Sequence, residues 1–583
     1  MAISPLENDV LGSISVAEPW SLVETFATQP RWRPEDVNKG ADVIVARAQA
    51  LGLPVEVHSP TIFLSIPHEA SVSIDGQTFR AKPPALSRPV PEGLTGALLY
   101  IKANPKNLRT YSRDIRDVFG ESFTDWTDFK SRVGGKILIT EGFGNPALTS
   151  LVEEMGAIGL IVINPGANIH WGTSSQIWGS PGLEDLSRKP KIPVAAVNKP
   201  DGERIKALAD GVRKVTITTR LEEGWFEQKV PVVTIPGNEE EDRFVLVHGH
   251  YDSWDVGVGD NATGDAVLLG LADVLWRNRK QLRRSVRIAW WPGHSTGRYS
   301  GSTWYADAFA LDLDAHCVAQ VNCDSPGCRW ATSYHQTTCM SELHSFITGV
   351  IEDVTGTRPQ FIRPKRAGDY SFYNVGISSY FMLSSTMPKD LLEEKNYYEV
   401  SGCGGNIVWH TEDDTMEIAD KNVLETDLKI YALSVLRHAS AEILPTDWRA
   451  TVAEFEQTLK RFKAATGERF DWSKVDAATT SLSKALQALY ADIEADNIPA
   501  RTANDTLMKL ARILVPLNYT RTQRFAQDPA VACPALPGLS MATELERPMG
   551  DITHHVLTDL LRGANRYIAA LQQAEHVVKE ARA

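Results

Sequence analysis

Residues 244–275 read FVLVHGHYDSWDVGVGDNATGDAVLLGLADVL. Phe244–Val247 is a short apolar run of the kind that forms a buried strand, and Thr263–Trp276 carries apolar residues at helical spacing. Between them lie His250, Asp252 and, just before the helix, Asp260. Open α/β sheets hold ligands at the carboxyl ends of their strands, which is where this order puts an imidazole and two carboxylates. Both groups suit zinc, and a carboxylate has two oxygens with which to bridge two ions. A lone His-x-Asp more often marks a hydrogen-bonded core histidine; its place before a glycine-rich turn favours the metal reading. His248 lies deeper in the strand and is read as structural.

Strand and helix patterns alternate onward through Val286–Trp291, Ser302–Phe309, Cys317–Asn322 and Met340–Val354. That alternation predicts an α/β fold with a mostly parallel sheet covered on both faces. Asp324 ends the strand in VAQVNCDSPG, and IVWHTEDDT puts His410 in a polar loop before a helix. His250, Asp260, Asp324 and His410 therefore form a candidate metal set at one rim of the sheet.

At 583 residues the chain exceeds one core. A proline-rich passage, Lys82–Pro91, precedes short apolar strands at Ala97–Ile101, Lys136–Thr140, Gly159–Asn164 and Pro193–Asn198. These predict a separate α/β unit over 91–225, inserted between catalytic segments 1–90 and 226–440. Its polar loop Gly166–Leu186, with Trp171 and Trp178, is either a cover for a site or a surface excursion. From 441 to 583 the pattern is amphipathic helix: Trp448–Thr466, Thr479–Ala495, Ala503–Val515 and His554–Glu580. Their apolar faces require the α/β body or a second copy.

Sixty basic against 73 acidic residues, a net charge of −13, disfavour nucleic acid or an anionic membrane as partner. No stretch reaches the ~20 apolar residues of a membrane span, and the opening residues lack the basic and apolar regions of a secretory signal. The six cysteines do not match paired C-x₂-C zinc spacing, so reduced thiols in a cytoplasmic protein are expected.

Taken together, HGHYDSW, GVGDNATG, NCDSPG and WHTEDDT resemble the motifs of the di-zinc aminopeptidase family that includes glutamate carboxypeptidase II and the transferrin receptor. AGDYSFYNVGISS resembles that family's segment near the substrate pocket, and NDTLMKLARILVPLNYTRTQRFAQDPAVACPALPGL its helical dimerisation domain. The 91–225 unit resembles its protease-associated domain. The resemblance implies His250 and Asp324 on one zinc or other divalent ion, His410 on a second, Asp260 bridging, and Asp252 orienting the His250 imidazole. It also implies a homodimer and a small-molecule or peptide-like substrate, with Asp369 and Tyr370 beside the substrate.

One position departs from the family. Its Glu-Glu pair supplies a general base and a metal ligand, yet VRIAWWPGHSTGRYSGSTW (286–304) contains no carboxylate. His294 and Ser295 fall at the pair. Three readings stay open. His294 acts as base on water activated by the metal; or it is itself a ligand, with Tyr299 or a substrate group as base; or catalysis is lost. Gly293-to-Tyr299 is otherwise a tight turn. Arg298 is a candidate for a substrate carboxylate, and Arg363, Lys365 and Arg366 are a second anion candidate or a solvated basic surface. The expected activity is hydrolysis of an amide or related bond by metal-activated water. Lyase or isomerase chemistry on a small acid, or a dimeric binding protein, are the alternatives.

Overall fold

The computed structural model describes residues 3–105, 111–120, 123, 125–381, 384–548 and 550–583. A six-stranded sheet runs in the order Val55–His58, Val230–Ile235, Arg284–Trp291, Glu240–His250, Cys317–Asn322, Ser379–Tyr380. Glu240–His250 pairs in parallel with both neighbours, His250 lying opposite Trp291 and His248 opposite Asn322. The pairings of Val230–Ile235 are antiparallel, so the sheet is parallel at the site and mixed at one edge.

The central strand is apolar on both faces because both are covered. Val245 and Val247 face a core shared with the helix Thr263–Arg277, while Phe244 and Leu246 face Trp291, Tyr305 and Phe372. The first of these cores runs on without a break into Trp448–Thr466, Ser473–Glu494, Ala500–Tyr519 and Thr553–Ala581. Within the chain, then, these helices bury their apolar faces against the α/β body. Arg512 pins the contact: its guanidinium donates to the carbonyls of Leu313, Asp314, Cys317 and Gly376.

A second, seven-stranded sheet contains Gln77–Ala81, Thr61–Ile74, Asp210–Glu227, Val90–Tyr100, Ile137–Glu141, Gly159–Ile163 and Val194–Val197. Residues 1–90 consequently divide between layers. Pro34–Ala50 and Val55–His58 pack with the six-stranded sheet, whereas Thr61–Ala81, expected in the catalytic layer, belongs to the second sheet. The cause is Asp210–Glu227, an 18-residue strand that pairs Thr61–Ile74 from Thr61↔Glu227 to Ile74↔Val215. Its half-exposed, charge-interrupted pattern gives little apolar signal, which is why the sequence did not reveal it.

His438, on the helix Lys421–Ser440, is buried with neither ring nitrogen hydrogen-bonded among the described residues. It lies stacked on Tyr380 and edge-on to Phe346. Burial, and then the Arg284 charge, hold its pKa down at about 3. The folded state keeps it neutral while an unfolded chain protonates it below its ordinary value of 6.5, so stability falls as pH drops from 6.5 toward 3. His438→Leu is expected to make that fall shallower by up to about 1.4 kcal/mol per pH unit, measured from urea midpoints between pH 6.5 and 4; an unchanged slope counts against this account.

Candidate metal centre

Asp260 ends a loop that needs glycine behind it: a Cβ on Gly259 would lie 2.8 Å from Cys403 Sγ and 3.2 Å from Asp414 Oδ1. The Gly259 and Asp260 amides both donate to the buried Asp414 carboxylate, at 2.7 and 3.1 Å. Next to it, Asn261 donates to the carbonyls of His250 and Cys323 and accepts from the Ser325 amide, tying together the two strand ends that carry His250 and Asp324. Neither Asp414 nor Asn261 was singled out from sequence, although both lie inside the quoted motifs. A buried polar side chain beside a ligand gives no periodic signal.

With the loop so held, Asp260 Oδ1 stands 3.0 Å from His250 Nε2 and Oδ2 stands 3.1 Å from His410 Nε2. Asp324 Oδ1 is 3.9 Å from His250 Nε2. His250 Nε2 and Asp260 Oδ1 are buried without a hydrogen-bond partner, despite facing each other. Burial opposes charge on His250, but the facing carboxylates of Asp260 and Asp324 outweigh it and raise its pKa well above the ordinary value. Two buried carboxylates around one imidazole require a cation, and a divalent ion meets that need without a proton. The residues therefore fit a metal.

Three imidazoles share one feature. His250 Nδ1 donates to the Asp252 carbonyl at 2.8 Å, His410 Nδ1 to the Trp171 carbonyl at 3.0 Å, and His294 Nδ1 contacts Asp369 Oδ2 at 2.8 Å. With Nδ1 engaged, each Nε2 lone pair is left for the cavity. His250, His294 and Asp324 each bring a ligand atom within 4.8 Å of the others, and among the described residues no second group of three does so. The His250 and His294 rings stack at 3.6 Å.

Several expectations change. The Asp252 carboxylate does not orient His250, which uses the Asp252 carbonyl; it accepts instead from the His294 and Ser295 amides, at 3.0 and 2.9 Å, and so shapes the turn that stands where the family has its Glu pair. Ser295 contributes backbone there, its carbonyl accepting from Thr173 Oγ1. Asp369 is fully buried on His294 and Ser302 and does not line the cavity, so it positions His294 rather than a substrate. Tyr370 is core: its hydroxyl donates to the Phe381 carbonyl and its ring stacks on Tyr373. Tyr299 is buried with its pKa raised, first by burial, and its oxygen accepts from the Gly368 amide; a proton held this firmly makes it a poor base. His248 is buried and hydrogen-bonded to Gln320, a structural role. Arg363 and Arg366 are not a solvated surface. Arg363 pairs with Glu454 and Arg366 lies 3.6 Å over the Trp178 ring.

The cavity is closed from the second sheet. Phe143, Asn164 and His170–Thr173 line it opposite His294, Asp260, Asp324 and His410. Trp171 reaches the site directly, its amide donating to the His410 carbonyl, and it stacks on Trp254 at 5.2 Å. Of the two readings of Gly166–Leu186, the cover is the one the structure adopts.

This parallel sheet with a rim of imidazoles and carboxylates has the aminopeptidase fold. The chain superposes on a zinc aminopeptidase from Bacillus subtilis with a TM-score of 0.54 and 20% identity, over 74% of this chain and 96% of that one. An aminopeptidase from Aneurinibacillus sp. strain AM-1 gives 0.53 and 17%, with the same coverage. Residues 231–433 match the model of Peptidase family M28, so the resemblance read from the motifs holds for the layer that carries the site. Among curated relatives, Probable glutamate carboxypeptidase AMP1 of Arabidopsis thaliana is 27% identical over 231 residues, covering 32% of this chain and 33% of its own. Leucine aminopeptidase 2 of Trichophyton equinum is 27% identical over 237 residues, 37% and 44% of the two chains. The chain thus spans a third to under a half of the length of these two curated relatives.

Removing the acceptor behind Asp260 tests the loop. Asp414→Ala leaves two buried amides unpaired and is expected to weaken metal retention about 10- to 100-fold, read by competition with a chelating dye. Retention equal to that of the parent protein would show that Asp414 does not hold the loop.

Proposed function

We propose that the chain is a metal-dependent hydrolase that cleaves an amide or related bond in a small or peptide-like substrate. The observation that carries this is the set of three imidazoles, each engaged at Nδ1 and open at Nε2, around the Asp260 and Asp324 carboxylates. The match to Peptidase family M28 and the likeness to a zinc aminopeptidase support the same reading, and this donor set suits zinc. A divalent ion here supplies Lewis acidity that polarises a carbonyl and makes water nucleophilic near neutral pH.

The placement of His294 favours one ion over two. His250, Asp324 and His294 converge on one position, and Asp260 faces His250 at its side. On the other side His410 meets only the second oxygen of Asp260. With the Glu pair gone, His294 completes the first position rather than the second. His410, lining the cavity with Nε2 3.1 Å from Asp260 Oδ2, is then the group that takes and returns the proton. Asp369 fixes His294 by holding its Nδ1 proton, as outer carboxylates do for metal-bound imidazoles.

The protease-associated character of 91–225, a homodimer and a cytoplasmic location are proposals of the family resemblance and composition. Light scattering of the purified chain addresses the dimer.

Elemental analysis after metal-replete expression should give about one divalent ion per chain. His250→Ala and His294→Ala should lose it. His410→Ala should keep it while kcat falls by about 10²- to 10⁴-fold. Two ions per chain, or loss of one in His410→Ala, would overturn the single-ion reading. Oxygen-18 from water should enter the product; its absence would sink hydrolysis.

A further inference from the structure

Arg298 ends the same turn that carries His294, and it lines the cavity with His294, Asp260, Asp324 and His410. It is 7% exposed and makes no ion pair among the described residues. Its backbone is fixed: φ is 50°, and its carbonyl accepts from the Gly179 amide at 2.6 Å. The guanidinium sits 4.9 Å from the Tyr299 ring centroid and 5.8 Å from that of Tyr111, whose hydroxyl takes a hydrogen bond from it. The two nitrogens Nε and Nη2 are buried and have no partner among the described residues.

Those two nitrogens form one edge of the planar guanidinium. Their N–H bonds run parallel, at the spacing that matches the two oxygens of a carboxylate. Burying a permanent cation without a counter-charge is costly, and buried Arg243 and Arg284 pair with Glu240. Arg31 and Arg366 are also buried without an ion pair among the described residues, but neither lines the cavity. Arg298 keeps its bidentate edge unpaired beside the metal donors. The cavity volume of ≈ 90 Å³ is room for about six water-sized groups, at ~15 Å³ each.

We infer that the substrate is a small carboxylic acid bearing the scissile amide, and that its carboxylate is bound bidentately by Arg298. The inference rests on the metal-dependent hydrolase reading and names its substrate class. His294 and Arg298 lie four residues apart on one turn, itself held by Asp252, so the distance from metal donor to anion anchor is built into the backbone. Tyr111, contributed from the 91–225 segment, supports the guanidinium from the opposite wall.

The test is binding, followed by calorimetry on the full chain, of N-acetylglycine, its neutral amide N-acetylglycinamide, and inorganic phosphate. Carboxylates also bind metals, so each titration is run on metal-loaded and on chelator-stripped protein. N-acetylglycine should bind at least about tenfold more tightly than the amide in both forms. Arg298→Met should abolish the preference, and Arg298→Lys, which keeps the charge but loses the fork, should reduce it. Should Arg298→Met fail to fold by circular dichroism, Tyr111→Phe provides the second variant, with a weakened preference expected. Equal binding of acid and amide, a preference that vanishes with the metal, a preference retained in Arg298→Met, or tighter binding of phosphate would each overturn the inference. Metal content measured on the same samples separates this failure from failure of the hydrolase reading, which would show as absence of the ion.

Discussion

The Asp260 carboxylate, suspended between two imidazoles, is the constraint on which the rest of the site depends. A buried carboxylate with two Nε2 atoms at 3.0 and 3.1 Å, that of His250 buried and that of His410 half-buried, is a costly arrangement for the apoprotein. The surroundings are organised to hold it. Asp414 takes the amides of its loop, Asn261 joins the strand ends on either side, and Gly259 permits the approach of Cys403. Binding energy of an ion would be released against a site the protein has already ordered.

The turn from Gly293 to Tyr299 is where this chain departs from the motif pattern of the family it resembles. It contains no carboxylate, and Asp252 accepts the amides of His294 and Ser295. The turn presents an imidazole backed by Asp369 and, four residues later, a buried guanidinium. Replacing carboxylates by cationic or neutral groups lowers the negative charge around the ion. That shift suits fewer ions and an anionic ligand, both from the same substitution.

The second sheet is joined to the six-stranded one by two adjacent crossings, His58 to Thr61 and Glu227 to Val230. Its loops form one wall of the cavity, with Trp171 bonded to His410 through the backbone. This wall bounds the space around the donors, and it brings Tyr111 to Arg298. The C-terminal helices play a different part, continuing the core beneath the six-stranded sheet.

The fold of the six-stranded layer was legible in the sequence because its signals are local. Cys317–Asn322 and Trp448–Thr466 fall where the apolar pattern ends, and His250, Asp260, Asp324 and His410 sit at strand or loop ends beside short motifs. Asp210–Glu227 was hidden because a half-exposed strand draws its stability from a partner distant in sequence, as the pairing Thr61↔Glu227 shows. Tertiary structure alone decided what the side chains do. Asp369 and Tyr370 are neighbours in sequence, yet one holds His294 and the other fills the core. Asp252 turned out to brace a turn 42 residues on, and Arg298 to lie buried with an open edge. Residue types fixed the kind of chemistry available; which donor faces which atom depended on strand register and burial, and no linear pattern encodes those.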